Sequence, residues 1–242
     1  MGLPAAEARF VRWQPTGSPM PTSTCYMCAA QAVSDEHAPP RCIFPAAKDL
    51  PAGIDLRRNL ITVPACGDHN MATAKDDEYL MVLLVTHFED NQVGYNQFAT
   101  KAVRALKRSP AFVETTFKNA SHVLLDGQPT IAFQVDDARF ERELDKIVRA
   151  VHFHATRRKL LGRITLFPTA FRKMDAELDR EIQSVGSLAR TFLAEAPRHG
   201  ENPDAFFYQL SAANAGHGGL MRLVFYGGFE VYSTWPATAV AT

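Results

Sequence analysis

The feature that most constrains the fold is a set of three cysteines and one histidine arranged as two close pairs. Cys25 and Cys28 form a CxxC pair, and Cys66 stands three positions before His69. Two such pairs on separate loops supply three thiolates and one imidazole, a ligand set that can close a tetrahedral zinc site. The spacing therefore predicts a structural Zn²⁺ with no position open for substrate. The alternative is that these are small buried core residues, as free cysteines often are.

Composition indicates a globular chain whose thiols are reduced. Hydrophobic residues make up 46% of the 242 residues and charged residues 21%, which excludes a wholly disordered protein. No apolar run approaches the roughly 20 residues needed to cross a bilayer, and the N-terminus has no signal-peptide pattern. We therefore expect a cytoplasmic protein with no membrane partner, a compartment in which cysteines favour metals over disulfides. The formal net charge is zero and gives no global hint of a nucleic-acid partner.

Hydrophobic periodicity predicts four helices. One begins near Asn70 and carries acidic residues in its first turn, and a second covers about residues 95–108 with a basic exposed face. A third is expected over residues 137–159, where apolar residues recur at steps of three and four. A fourth is expected to bury a similar stripe, composed of Leu178, Ile182, Val185, Leu188 and Phe192.

Turn chemistry predicts two hairpins. Asp126-Gly127 separates two β-prone runs within residues 123–135, and Gly227-Gly228 separates two more within residues 221–234. Together with the helices they indicate an α+β fold. We divide the chain into a lead-in arm over residues 1–22, a zinc-stabilised module over residues 23–90, and an α+β accessory domain over residues 91–242. The accessory domain is a mixture of helices and antiparallel hairpins.

Three further motifs occur in order around the zinc ligands. Asp35-Glu36-His37 precedes Pro39, Asn59-Leu60 opens a β-prone run, and His69-Asn70 follows Cys66 with Lys75 shortly after. With the CxxC pair, this set resembles the HNH, or ββα-metal, nuclease superfamily of the zinc-knuckle type. The resemblance covers the chain from Cys25 to Lys75 and implies a ββα-metal fold for this region.

The resemblance also implies roles for individual residues. His37 matches the general base, Glu36 the acidic cation ligand beside it, Asn59 the residue that steadies the catalytic loop, and Asn70 the ligand of the third motif. Physical chemistry agrees, because an imidazole titrates near neutral pH and can deprotonate water without special tuning. Carboxylate and amide oxygens suit Mg²⁺ or Mn²⁺, which would neutralise charge on the phosphate.

Two assignments stay open at this stage. The acidic ligand of the superfamily is more often Asp, so Asp35 is an alternative to Glu36. The second knuckle is more often CxxC than CxxH, so His69 could turn toward the catalytic ion. Four basic residues are candidates for phosphate contacts, namely Arg41, Arg57, Arg58 and Lys75.

The sequence thus predicts a metal-dependent endonuclease that cleaves DNA in preference to RNA. The part after residue 91 would select the substrate, form a homo-oligomer or receive a regulatory signal. The zero net charge motivates an alternative, a zinc-stabilised module that binds nucleic acid or protein without cleaving it. A hydrolase of a small phosphoester is a third reading.

Overall fold

A short antiparallel hairpin opens the structure. The computed structural model describes residues 23–70, 74–87, 89–125, 127–211 and 218–240, so the predicted lead-in arm lies outside the described residues. Strand β1 (Ser34–His37) pairs with β2 (Thr62–Ala65), and His37 lies opposite Thr62. The long connection between the strands contains two single 3₁₀ turns, at Arg41–Ile43 and Ala47–Asp49.

Helical segments follow the hairpin directly. Helix α1 (Gly67–Asn70) comes first, and helix α2 (Ala74–Val85) has Asp76 and Asp77 in its first turn, where the amide end of a helix favours negative charge. Every residue of α2 from Tyr79 to Val85 is buried. A helix that is apolar on all sides belongs inside a core, so α2 is a central element of the fold.

The next helices are joined end to end and begin with side-chain caps. The Asn91 side chain accepts hydrogen bonds from the amides of Val93 and Gly94, and the Ser109 hydroxyl accepts one from the amide of Phe112. The helix predicted over residues 95–108 ends at Arg108 as expected, but it contains a π-helical turn and starts earlier. The segments are α3 (Gln92–Gln97), the π turn (Phe98–Ala102), α4 (Val103–Arg108) and α5 (Pro110–Thr116).

A second hairpin and the longest helix come next. Strands β3 (Lys118–Leu125) and β4 (Gln128–Gln134) form the hairpin predicted around Gly127, which has a φ of 79°. Helix α6 (Asp137–Thr156) ends before the predicted residue 159, and it buries the predicted stripe except for Ala155, which is exposed. The buried residues of the stripe are Phe140, Leu144, Ile147, Val148 and Val151.

The C-terminal part is an antiparallel sheet with a helix on one face. Within the described residues the sheet has the strand order β5-β9-β8-β7-β6, and β8 and β9 form the hairpin predicted around Gly227. Helix α7 (Ala176–Phe192) lies against it. The strands are β5 (Thr165–Pro168), β6 (His199–Asn202), β7 (Phe206–Leu210), β8 (Gly219–Phe225) and β9 (Phe229–Trp235).

The apolar stripe of α7 does not face the core, so this prediction was wrong. Leu188 and Phe192 are each 73% exposed, whereas the small residues Gly186 and Ala189 are buried. A Cβ atom at Gly186 would lie 2.4 Å from the Thr169 side chain, so the helix approaches the sheet through its small residues.

One buried cluster extends through the described part of the chain, from Cys25 to Ala239. Helices α2 and α6 pack against each other in it, and α6 also contacts β2. The mixed α+β class is confirmed, while the division at residue 90 stays a prediction. Among the described helices, none is both long and apolar enough to span a bilayer.

Candidate functional site

The four predicted zinc ligands lie together. Cys25 and Cys28 belong to a loop before β1, Cys66 follows β2, and His69 lies in α1; their ligand atoms are all within 4.8 Å of one another. Backbone hydrogen bonds fix the loop, since the amide of Tyr26 donates to the Pro64 carbonyl at 2.8 Å. The hairpin therefore brings the two sequence pairs to one point.

The distances fit a tetrahedral metal site. Zinc bonds of about 2.3 Å to sulfur and about 2.0 Å to nitrogen place neighbouring sulfurs about 3.8 Å apart, and sulfur and nitrogen about 3.5 Å apart. The Cys28 and Cys66 sulfurs are 3.8 Å apart, and the His69 Nδ1 atom lies 3.3, 3.6 and 3.2 Å from the sulfurs of Cys25, Cys28 and Cys66. The cluster could hold a metal ion such as zinc.

The environment of Cys25 favours its thiolate. Burial alone would raise the pKa of this thiol, but hydrogen bonds from the Met27, Cys66 and Cys28 amides and from His69 lower it to about 7. A thiolate is the form that coordinates metal.

A lysine from beyond α6 supports the same loop. The Lys159 ammonium donates to the Cys28 carbonyl at 2.6 Å and to the Thr24 hydroxyl at 2.8 Å. The sequence did not predict this contact, because nothing about a single lysine in a basic stretch indicates which residue more than a hundred positions away it will bind.

His37 ends β1 and is half-buried. Burial lowers the pKa of its imidazole, the positive charge of Arg41 lowers it further, and Asp35 partly opposes both. The imidazole is therefore unprotonated at neutral pH, the form that can accept a proton.

The two acidic residues before His37 have different surroundings. Glu36 is buried, its Oε1 atom lies 3.1 Å from the Lys146 ammonium, and its Oε2 atom accepts a hydrogen bond from the Tyr26 hydroxyl at 3.2 Å. Asp35 is exposed, and its carboxylate makes no hydrogen bond or ion pair with another described residue. Of these two residues, only Asp35 has both carboxylate oxygens available to bind a metal ion. Glu36 could bind one only if the metal ion displaced the Lys146 ammonium.

Asn70 lies on the Glu36 side of the hairpin. Its side-chain amide donates to the Ser34 hydroxyl at 2.6 Å and lies 3.5 Å from the Asp35 carbonyl. Ser34 and Glu36 are alternate residues of β1 and share one face of the strand.

Asn59 is exposed in the turn before β2, with a φ of 50° that asparagine tolerates better than most residues. It borders a cavity of about 10 Å³ together with Ala38, the residue after His37. The Asn202 side chain fixes this turn by donating to the Arg58 carbonyl at 2.9 Å.

Two of the four basic candidates are close to His37 or to each other. Arg41 is exposed and repels both the His37 imidazole and the Arg57 guanidinium, whose pKa is lowered by burial and then by Arg41. Arg57 is held by a hydrogen bond from its Nε atom to the Phe44 carbonyl at 2.9 Å. Arg58 and Lys75 are exposed, the latter near the start of α2.

Lys146 belongs to a buried ionic cluster that sequence reasoning also missed. Its ammonium lies 3.3 Å from the Glu143 carboxylate and 3.1 Å from the Glu36 carboxylate. The carboxyl group of Asp77 lies next to that of Glu143. Burial and the Glu143 charge raise the pKa of Asp77 to about 7, despite the opposing effect of Lys146. Glu143 and Lys146 are three residues apart on α6, a spacing that predicts an ion pair. The same spacing is found in exposed ion pairs, so it does not predict that this pair is buried.

Comparison with known proteins gave no relatives. The chain matches no protein-family model, no curated protein and no solved structure.

Proposed function

We propose that the protein is a metal-dependent endonuclease of the HNH type that hydrolyses phosphodiester bonds in DNA. The observation that carries the proposal is the position of His37, an imidazole with a lowered pKa that lies beside Arg41 at the end of a hairpin strand. The same hairpin carries the Cys/His cluster near its other end. The order of two antiparallel strands and a helix supports a ββα-metal module.

His37 is the general base in this proposal. Its unprotonated imidazole accepts a proton from the water that attacks the phosphorus atom, a role that typically contributes about 10²–10⁴-fold to the rate. Asp35 is near enough to influence its charge, so the protonated imidazole formed during the reaction would be stabilised by that carboxylate.

Arg41 and Arg57 bind the phosphate group in this proposal. Two guanidinium groups that repel each other raise the energy of the free protein, and an anion beside both relieves that cost. Arg58 and Lys75 are exposed and are further candidates for contacts to the DNA backbone.

Two kinds of metal ion have separate roles. Cys25, Cys28, Cys66 and His69 hold Zn²⁺, which fixes the knuckle and the strand that carries His37. Asn70 and one of Asp35 and Glu36 hold Mg²⁺ or Mn²⁺, which supplies neutralisation of charge on the phosphate and on the departing oxygen.

Plasmid cleavage tests the activity. The zinc-loaded protein with Mg²⁺ or Mn²⁺ should nick or linearise plasmid DNA, and His37→Ala should reduce the rate about 10²-fold or more with an unchanged circular dichroism spectrum. His122→Ala is the matched control, since this exposed histidine of β3 lies outside the site. Equal cleavage by wild type and His37→Ala would refute the proposal.

The cation ligand is tested in the same assay. Asp35→Asn and Glu36→Gln each remove one carboxylate charge with little change in shape. The variant that raises the Mg²⁺ concentration needed for half-maximal cleavage identifies the ligand.

A DNA-binding module without cleavage is the second candidate. This candidate is favoured by the ion pair between Lys146 and Glu36, because a carboxylate that is already neutralised by an ammonium has less affinity for a catalytic metal ion. Salt-dependent DNA binding with no cleavage under any divalent cation would support this function instead.

A further inference from the structure

A cavity of about 340 Å³ lies between the β3–β4 hairpin and the segment that joins β5 to α7. Thr86 and His87, which follow α2, also border it. Sites for small molecules typically have volumes of roughly 300–1,000 Å³, so this cavity is large enough for a small ligand. None of its described lining residues belongs to the proposed nuclease site, so a ligand here would bind apart from DNA.

One face of the hairpin forms a mainly apolar wall of the cavity. Val123 and Leu125 alternate along β3, and Thr130 and Ala132 lie opposite this part of β3 in the register, so the four side chains share one face. All four line the cavity and are half-buried, and Phe171 adds an aromatic ring from the segment between β5 and α7. Protein interiors are close-packed, so side chains alone leave an unusually large apolar space here.

The charged groups at the cavity favour an anion. The Lys173 side chain lines the cavity and is half-buried, and its ammonium makes no hydrogen bond or ion pair with another described residue. An ammonium that is partly withdrawn from water gains from a counter-charge. The neighbouring Arg172 already pairs with Asp179 at 2.8 Å. Asp137 also borders the cavity, but it is exposed, so water and salt screen its negative charge.

We propose that this cavity binds a small amphipathic anion, a molecule with an apolar aromatic or aliphatic body and one carboxylate or sulfonate group. The apolar body lies against the hairpin face and Phe171, and the anionic group pairs with the Lys173 ammonium. Such a ligand supplies the counter-charge that Lys173 lacks among the described residues and fills the space that the side chains leave open.

Calorimetry with matched probes tests the proposal on the full chain. Naphthoate and the naphthamide of the same ring isomer are alike in shape and differ in charge, and octanoate replaces the rings by an aliphatic chain. We expect at least one of the two anions to bind at one site per chain, at least about tenfold more tightly than naphthamide. Lys173→Met should remove that preference, whereas Lys118→Met, the matched control at an exposed position of β3, should keep it.

Filling the cavity tests its position. Ala132→Trp adds a large ring to the hairpin face that lines the cavity and should abolish binding of the anions. His122→Trp is the matched control, because His122 is exposed and alternates with Val123, so it lies on the other face of β3. If Ala132→Trp does not fold, Thr130→Trp, on the same face as Ala132, undergoes the same measurement.

Three results would overturn the proposal: no binding of either anion to the wild type, equal affinity for naphthoate and naphthamide with no binding of octanoate, or anion binding that is unchanged by Lys173→Met or by the cavity-filling variant. Tighter binding of naphthoate or of octanoate supports the proposal and identifies the apolar body as aromatic or aliphatic. None of these measurements involves DNA, so an absence of plasmid cleavage would refute the proposed function and leave this ligand site standing.

Discussion

Replacing Cys66 tests the role of the Cys/His cluster in stability. Its sulfur is buried and lies 3.2 Å from His69 Nδ1 and 3.8 Å from the Cys28 sulfur. Structural zinc contributes about 10–16 kcal/mol in small zinc modules, so one of four ligands accounts for roughly 2.5–4 kcal/mol. At about 2–4 °C per kcal/mol for a chain of this size, Cys66→Ser should lower Tm by roughly 5–16 °C.

Elemental analysis and thermal unfolding measure this effect. The wild type should contain about one zinc per chain, Cys66→Ser should contain much less, and hydrogen exchange should show lost protection first around residues 23–70. Cys42→Ser is the matched control. Burial raises the pKa of Cys42 to about 12, and its thiol donates to the Asp77 carbonyl at 3.3 Å, a bond that a hydroxyl can replace.

Either of two outcomes would refute the assignment of a zinc site that includes Cys66. Wild-type protein purified with zinc in the medium and found without it would show that the four side chains are not a zinc site. A Cys66→Ser protein with full zinc content and unchanged Tm would show that Cys66 is not a ligand.

Three further predictions address the base, a helix cap and an exposed helix face. Cleavage should fall only at pH values below the ordinary histidine range, since the pKa of His37 is lowered, and Arg41→Gln should move this acid limb to higher pH by removing a repelling charge. Asn91→Ala should cost about 1–2 kcal/mol in urea unfolding, because it removes the cap of α3 and a bond to the Asp204 carbonyl. Phe192→Lys should change stability by less than about 0.5 kcal/mol, whereas Phe229→Ala, at a fully buried position, should cost about 3–5 kcal/mol.

Features set by neighbouring residues could be predicted from the sequence. The hairpins around Gly127 and Gly227 follow from turn chemistry, and both glycines have positive φ values, 79° and 75°. The Cys/His cluster follows from ligand spacing, because each close pair lies within one short segment. These predictions needed no knowledge of how the elements pack.

Orientation against distant elements could not be predicted. The α7 stripe has helical periodicity, but periodicity does not say which side meets the sheet, and the small residues Gly186 and Ala189 decided it. The basic face predicted for α4 is also partly neutralised by acidic residues from distant elements, which its own sequence does not reveal. Arg104 pairs with Asp49 and Arg108 with Glu78.

Residues in and just after α6 contact the nuclease-like motif. Lys159 donates to the Cys28 carbonyl beside the Cys/His cluster, and Lys146 pairs with Glu36 of β1, so the later part of the chain contacts both parts of the proposed site. The motif residues alone suggest a module that is complete by Lys75. Since Glu36 is held by Lys146, and the apolar α2 is covered in part by α6, the geometry around His37 depends on residues that the motif does not contain.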